Sequence, residues 1–153
     1  MTVDKNRLLL IERVLLLKSL SIFEETPETI LAEIAHLLEE QEVEENTTIV
    51  SEGEIGNCMY IIFRGTVKVH KGKQLLALLE EKDFFGELSL LDTEARSASV
   101  TTVTDCIIFR IDQEPFYDVM ESCPEVAKGI IQILCKRLRT ANQKIFELTK
   151  PSW

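Results

Sequence analysis

Met59-Tyr60-Ile61-Ile62-Phe63-Arg64-Gly65-Thr66-Val67-Lys68-Val69-His70-Lys71-Gly72 carries the pattern on which the fold turns. Val67 and Val69 alternate with Lys68 and His70 up to a turn at Lys71 and Gly72. A period of two belongs to a strand, because successive side chains point to opposite faces of a sheet. The alternation returns in Ile107, Phe109 and Ile111 against Ile108 and Arg110. From about Thr47 to Ile111 the chain is a series of short runs rich in Val, Ile, Thr and aromatic residues, cut by Gly53, Gly56, Gly65, Gly72 and Gly86. Short strands at regular spacing predict a mainly β chain, an antiparallel jelly-roll barrel with N-terminal helices before it and a long C-terminal helix after it.

On the N-terminal side, the Leu-rich residues 5 to 17 read as a helix too apolar to stand alone in water. A second helix is marked by Thr26 as N-cap and Pro27 in the first helical position, followed by Ile30, Leu31, Ile34, Leu37 and Leu38 at helical spacing. His36 beside this stripe reads as an ordinary half-buried histidine. The cluster Glu39, Glu40, Glu42, Glu44 and Glu45 reads as a solvated acidic connector.

Helix returns after Asp112, and Pro124 starts a long one that is capped from Ser122 or Cys123 and runs to about Leu148, ahead of Pro151. Ala127, Ile131, Leu134, Leu138, Ala141, Ile145 and Leu148 follow one another in alternating steps of four and three, a heptad seam. The stretch from Ala127 to Leu134 is expected to pack on the barrel of its own chain. Beyond it, Lys136, Arg137, Arg139, Lys144 and Lys150 surround a narrow seam suited to a parallel homodimer.

The 153 residues are 45% hydrophobic and 28% charged, the size and composition of one globular domain. Such a chain buries roughly 68 to 70% of its unfolded surface and needs no disulfide or structural metal. Seventeen Lys and Arg against 26 Asp and Glu give a net charge of −9, whose field repels phosphate backbones and anionic membranes, so direct nucleic-acid binding is not expected. Cys58, Cys106, Cys123 and Cys135 stand singly in apolar stretches and read as reduced core residues. His36 and His70 lie in separate segments, so neither a metal site nor a catalytic constellation is expected. The apolar runs Leu8 to Ile11 and Val14 to Leu17 are split by Glu12 and Arg13 and fall far short of the roughly 20 residues of a membrane helix. Asp4, Glu12 and Arg13 also break any secretory leader, and cytoplasmic residence is expected.

The densest chemistry lies in Phe85-Gly86-Glu87-Leu88-Ser89-Leu90-Leu91 and, four residues on, Arg96-Ser97-Ala98-Ser99-Val100. A short helix opening at Gly86 and Glu87 exposes free backbone N–H groups that attract an anion, and Gly86 admits a ligand close to the main chain. Arg96 can grip two phosphate oxygens with its planar guanidinium, with the Ser97 and Ala98 amides beside it. Glu87 is wrong for phosphate and right for a sugar hydroxyl. A ligand carrying both groups satisfies both residues.

Residues 85 to 100 resemble the phosphate-binding cassette of cyclic nucleotide-binding domains, the family that includes the catabolite activator protein and the regulatory subunits of cyclic AMP-dependent protein kinase. Ser51-Glu52-Gly53-Glu54-Ile55-Gly56 and Met59 to Val69 are similar to the family's glycine-punctuated strands, and Leu20 to Phe23 to its approach to the domain. The resemblance covers about residues 17 to 140, with residues 1 to 16 as an N-terminal helical extension and 141 to 153 as the end of the C-terminal helix and tail. It implies that Glu87 and the Gly86 backbone bind the ribose 2′-hydroxyl, that Arg96 with the Ser97 and Ala98 amides binds the cyclic phosphate, and that Leu88 and Ser89 shape the cassette helix. Many members have Pro before the arginine where this chain has Ala95, a change worth ~0.4 to 1 kcal/mol through freedom of the empty loop. Asp92 and Glu94 add negative charge nearby.

The resemblance favours cyclic AMP over cyclic GMP as ligand, although a hydroxyl beside the arginine can also bond the guanine amino group. It makes Arg139, Thr140 and Asn142 lid candidates by position, with a surface or dimer-facing role as the alternative. The function implied is a non-enzymatic regulatory module that passes a conformational change through its C-terminal helix to an effector absent from this chain, as in an excised domain; a free-standing small protein is the alternative. The competing function is a nucleotide-free interaction or dimerisation domain of the same fold.

Overall fold

The computed structural model describes residues 5–151, with side chains from Leu10 onward; the remaining residues of the expected N-terminal extension and tail lie outside the described residues. Among the described residues, eight strands form two four-stranded antiparallel sheets. One runs in the order β1 (Glu39–Val43), β8 (Cys106–Asp112), β3 (Cys58–Arg64), β6 (Phe84–Phe85); the other in the order β2 (Thr48–Val50), β7 (Ser99–Thr102), β4 (Val67–Lys71), β5 (Gln74–Leu79). The jelly roll is thus two sheets with free edges rather than a closed cylinder.

The near-continuous apolar run of β3 has a direct cause: both of its faces are covered. Cys58, Tyr60 and Ile62 point into a core shared with Val50, Val67, Val100 and Ile108 from both sheets. Met59 and Ile61 point the other way, with Phe109 and Ile111 of β8, into a layer of helices. That layer comprises α1 (Lys5–Lys18), a 3₁₀ turn (Ser21–Phe23), α2 (Glu28–Leu37), α4 (Gln113–Ser122) and α5 (Pro124–Thr149), with the short α3 (Glu87–Leu91) beside them. Leu17, Leu20, Phe23, Leu31, Ile34 and Phe116 are its buried anchors. Arg13 ties α1 down by donating from Nη1 to the Leu38 carbonyl at 3.1 Å, with its guanidinium 5.0 Å from the centre of the Phe109 ring.

Several local expectations are corrected. Glu39 to Val43 is not a connector but the edge strand β1, paired with β8 in the register Glu39↔Arg110 to Val43↔Cys106. Its glutamates stay solvated while the backbone completes the sheet, and charge on an edge strand discourages pairing with other chains. Thr26 is buried and makes no cap; Pro27 occupies the N-cap position, and its carbonyl accepts from Ile30 and Leu31 N–H at 3.0 Å. Cys123 stands at the N-cap of α5 without a capping side-chain bond. His36 is exposed, and so is Cys135, whereas Cys58, Cys106 and Cys123 are buried and free. On α5 the buried stripe is Val126, Gly129 and Ile130, with Leu134 partly covered, so it lies beside the heptad seam rather than along it. Ile131, Leu138 and Ile145 of the seam are 59%, 62% and 58% exposed. Among the described residues no helix is long and apolar enough to cross a membrane.

Candidate functional site

The site is built where β6 hands over to α3. Gly86 adopts φ +79°, a left-handed conformation that any side chain strains, and so turns the chain from Phe85 into the cassette helix. Arg96 is placed by a short pairing of the two loops that flank it in space: Arg96 N–H donates to Glu54 O at 2.7 Å, Gly53 N–H to Arg96 O at 2.9 Å, and Gly56 N–H to Glu94 O at 3.0 Å.

From that anchor the Arg96 side chain runs inward between two glycines. A Cβ on Gly56 would stand 2.6 Å from Arg96 Cζ and 2.5 Å from Ser89 Oγ, and one on Gly86 would overlap Arg96 Nη1. Arg96 Nη2 donates to the Cys58 carbonyl at 2.9 Å. Nη1 is buried and has no hydrogen-bond partner among the described residues. A buried, charged donor without an acceptor is costly, so an acceptor brought to this nitrogen would relieve that cost.

Arg96 lines a cavity of about 390 Å³, within the range of small-molecule sites. Gly86, Glu87, Leu88, Ser89, Arg96, Ser97 and Ala98 all line it, so the sequence-expected binding residues are brought together. Val50, Val69, Phe85 and Val100 supply an apolar wall suited to a flat ring, while Asp92, Glu94 and Ala95 complete the lining. Tyr60 stacks on Phe85, with ring centres 5.2 Å apart. Burial, with the neighbouring Cys58 thiol second, pushes the Tyr60 hydroxyl up to about 12, so it stays neutral.

Glu87 and Arg96 do not pair with each other. Glu87 Oε1 instead accepts from Nη1 of Arg137 on α5 at 2.8 Å, and the Arg137 guanidinium lies 5.4 Å from the centre of the Phe84 ring. Oε2 of Glu87 accepts no hydrogen bond from the described residues. Arg139, Thr140 and Asn142, expected as lid candidates, do not line the cavity; all three are exposed, and the Thr140 hydroxyl donates to the Lys136 carbonyl of its own helix. Arg137 is the α5 residue that reaches the site, and it was available in the sequence: it follows Ile130 and Leu134 at steps of four and three, in line with the buried stripe. Gly56, Cys58, Val50 and Val69 are the other contributors that the sequence reading did not assign to the site. No cluster of metal-ligating side chains occurs among the described residues.

A cassette of this geometry, one half-buried arginine fork beside a left-handed glycine and a carboxylate, sets one cationic and one anionic side chain on the wall of a cavity in a double-sheet jelly roll. The chain belongs to the cyclic nucleotide-binding domain family, whose sequence model matches residues 40–123. It is 30% identical over 132 residues to a CRP-like cAMP-activated global transcriptional regulator of Mycobacterium tuberculosis, an alignment covering 83% of this chain and 59% of that protein. It is 28% identical over 144 residues to cGMP-dependent protein kinase 2 of Mus musculus, covering 90% of this chain and 19% of the kinase. The crystal structure of the Thermus thermophilus catabolite activator protein superposes with a TM-score of 0.74 at 28% identity, over 84% of this chain and 63% of that one. The chain therefore spans less than two thirds of these relatives.

Proposed function

We propose that this protein is a cyclic nucleotide sensor of the cytoplasm, without catalytic activity, cofactor or metal, and that residues 17–140 form the sensing unit. The cyclic phosphate sits against Arg96 Nη1 and the Ser97 and Ala98 amides, and the ribose 2′-hydroxyl donates to the free Oε2 of Glu87 beside the Gly86 backbone. Leu88 and Ser89 set the shape of the cassette, and the base lies on the wall of Val50, Val69 and Val100. The observation that carries this reading is the buried, unpartnered Nη1 of Arg96. Cyclic AMP is the preferred ligand over cyclic GMP, in keeping with the name of the mycobacterial relative, while the name of the mouse kinase keeps cyclic GMP as the competitor.

Because Glu87 touches both the ribose site and Arg137, occupancy and the position of α5 are linked through one carboxylate. A ligand shifts a two-state equilibrium only by its difference in affinity for the two states, and the shared carboxylate supplies such a difference. Helix α5 carries the response outward, pairs with a second copy through its exposed heptad seam, and acts on an effector module or protein rather than on nucleic acid directly.

Calorimetric titration of the nucleotide-stripped protein with cyclic AMP and then cyclic GMP tests the reading. Saturable binding at micromolar affinity or tighter, weakened more than about tenfold in Arg96→Ala, is the expected result. No heat and no thermal stabilisation with either ligand overturns it, and would leave a nucleotide-free interaction domain working through its terminal helices.

A further inference from the structure

We propose that Cys58 is a positioning residue for Arg96: it holds one arm of the guanidinium with neutral acceptors so that the other arm, and the whole charge, is left for the ligand. The part of this inference that concerns ligand affinity rests on the nucleotide-sensor reading; the part that concerns the unliganded fork does not.

The guanidinium is a planar fork, so fixing Nη2 fixes the direction of Nη1. One residue supplies the fixation. The Cys58 carbonyl accepts from Arg96 Nη2 at 2.9 Å, and the Cys58 sulfur lies 3.4 Å from the same nitrogen. Cys58 is itself immobilised, being buried at the start of β3 and opposite Asp112 in the β3–β8 register. The neighbouring Asn57 carbonyl accepts from Gln113 N–H at 2.9 Å, which fixes the same end of the strand. Gly56 and Gly86 close the remaining space on the guanidinium, as the clashes of an added Cβ at either position make plain. The arginine therefore has one arm held, one arm free and little room to rotate.

The chemistry of the holder matters. A carboxylate in this place would pair with the fork, neutralise it and compete with an incoming anion. A thiol and a carbonyl orient the cation without cancelling its charge, the thiol being only a weak acceptor. The distribution of partners agrees: both short contacts fall on Nη2, and Nη1 has none.

Two substitutions in the full chain test this. Cys58→Val keeps a buried apolar side chain of similar size but removes the sulfur contact, and Cys58→Ser restores an acceptor. In the unliganded protein, exchange of the Arg96 Nη2 protons with solvent, followed by NMR on arginine-labelled samples, is expected to speed up in Cys58→Val and to return toward the parent in Cys58→Ser. Cyclic AMP affinity is expected to fall roughly threefold to tenfold in Cys58→Val, to recover in Cys58→Ser, and to be unaffected by Cys58→Val in an Arg96→Lys background, where no fork remains to be aimed. Unchanged Nη2 exchange in a folded Cys58→Val protein overturns the proposal, whether or not any nucleotide binds. An affinity loss of equal size in the Arg96→Lys background also overturns it, because the thiol would then act on packing alone. Binding of neither cyclic nucleotide by the parent would defeat the sensor reading and leave the exchange comparison to decide the role of Cys58.

Discussion

Arg137 Nη1 lies 2.8 Å from Glu87 Oε1, and this single contact joins helix α5 to the cassette helix α3 across fifty residues of sequence. Glu87 lines the cavity and its Oε2 accepts no hydrogen bond from the described residues, so under the proposed reading the same carboxylate holds the helix with one oxygen and a ribose hydroxyl with the other. The pair is partly exposed, with 21% of the Glu87 side chain and 44% of the Arg137 side chain accessible, which limits its direct worth to about 0.2 to 1 kcal/mol. Arg137→Gln is therefore expected to weaken cyclic nucleotide binding by about twofold to fivefold. It is also expected to reduce the ligand-induced change in hydrogen exchange along α5. Unaltered affinity together with an unaltered exchange response would remove Arg137 from the coupling.

Gly56 and Gly86 predict a separation of binding from folding. Gly56→Ala places a methyl group against Arg96 Cζ and Ser89 Oγ, and Gly86→Ala adds left-handed backbone strain to a clash with Arg96 Nη1. Arg96 can relieve either clash only by leaving its slot. Both variants are expected to lose cyclic nucleotide affinity by more than about tenfold, and Gly86→Ala to lose more stability than Gly56→Ala. Titration calorimetry and thermal unfolding check the two halves; parent-like affinity in Gly56→Ala would show that the guanidinium does not need this channel.

Ala95 offers a gain rather than a loss. It forms an antiparallel bridge with Ile55, and the hydrogen bonds around that bridge come from Gly56 and Arg96 rather than from the Ala95 N–H. Proline at this place removes no backbone hydrogen bond among the described residues and stiffens the approach to Arg96. Ala95→Pro is expected to tighten binding by about twofold to fivefold, the equivalent of ~0.4 to 1 kcal/mol of loop freedom removed from the empty state. Weaker binding in a stable Ala95→Pro protein would mean that the loop needs a backbone angle proline cannot adopt.

These predictions draw unevenly on what the sequence made legible. Gly86, Glu87 and Arg96 stood out because their signals are local: a glycine that admits close approach to the main chain, and a carboxylate and a fork nine residues apart, each readable from residue type and spacing. The β3 run was legible as strand because burial on both faces keeps it apolar from Met59 to Phe63. Strand β1 was not, since Glu39, Glu40, Gln41 and Glu42 have neither alternation nor β-branched side chains, and their extended form is imposed by pairing with β8. Arg137 was obscured by its neighbours Lys136 and Arg139; only the register of α5 on the core separates it from them. Cys58 was read as core, correctly, but its second role, two contacts to Arg96 Nη2 from its carbonyl and its sulfur, leaves no trace in residue type.

The exposed seam of α5 yields the last prediction. Ile131, Leu138 and Ile145 recur every seven residues, are each more than half exposed, and do not belong to the hydrophobic core. With Leu134, Ala141 and Leu148 at the alternate positions they make the four-and-three repeat of a two-stranded coiled coil. The positions flanking that line include Arg137 and Lys144 on one side and Asn142 and Thr149 on the other, so parallel helices would set cations against neutral polar groups rather than against each other. Leu138→Glu is expected to convert a dimer into a monomer by sedimentation velocity while leaving the melting temperature of the monomeric domain nearly unchanged, because the side chain is 62% exposed and lies outside the hydrophobic core. A parent protein that sediments as a monomer at every concentration, with and without cyclic nucleotide, would show that the seam serves some other surface.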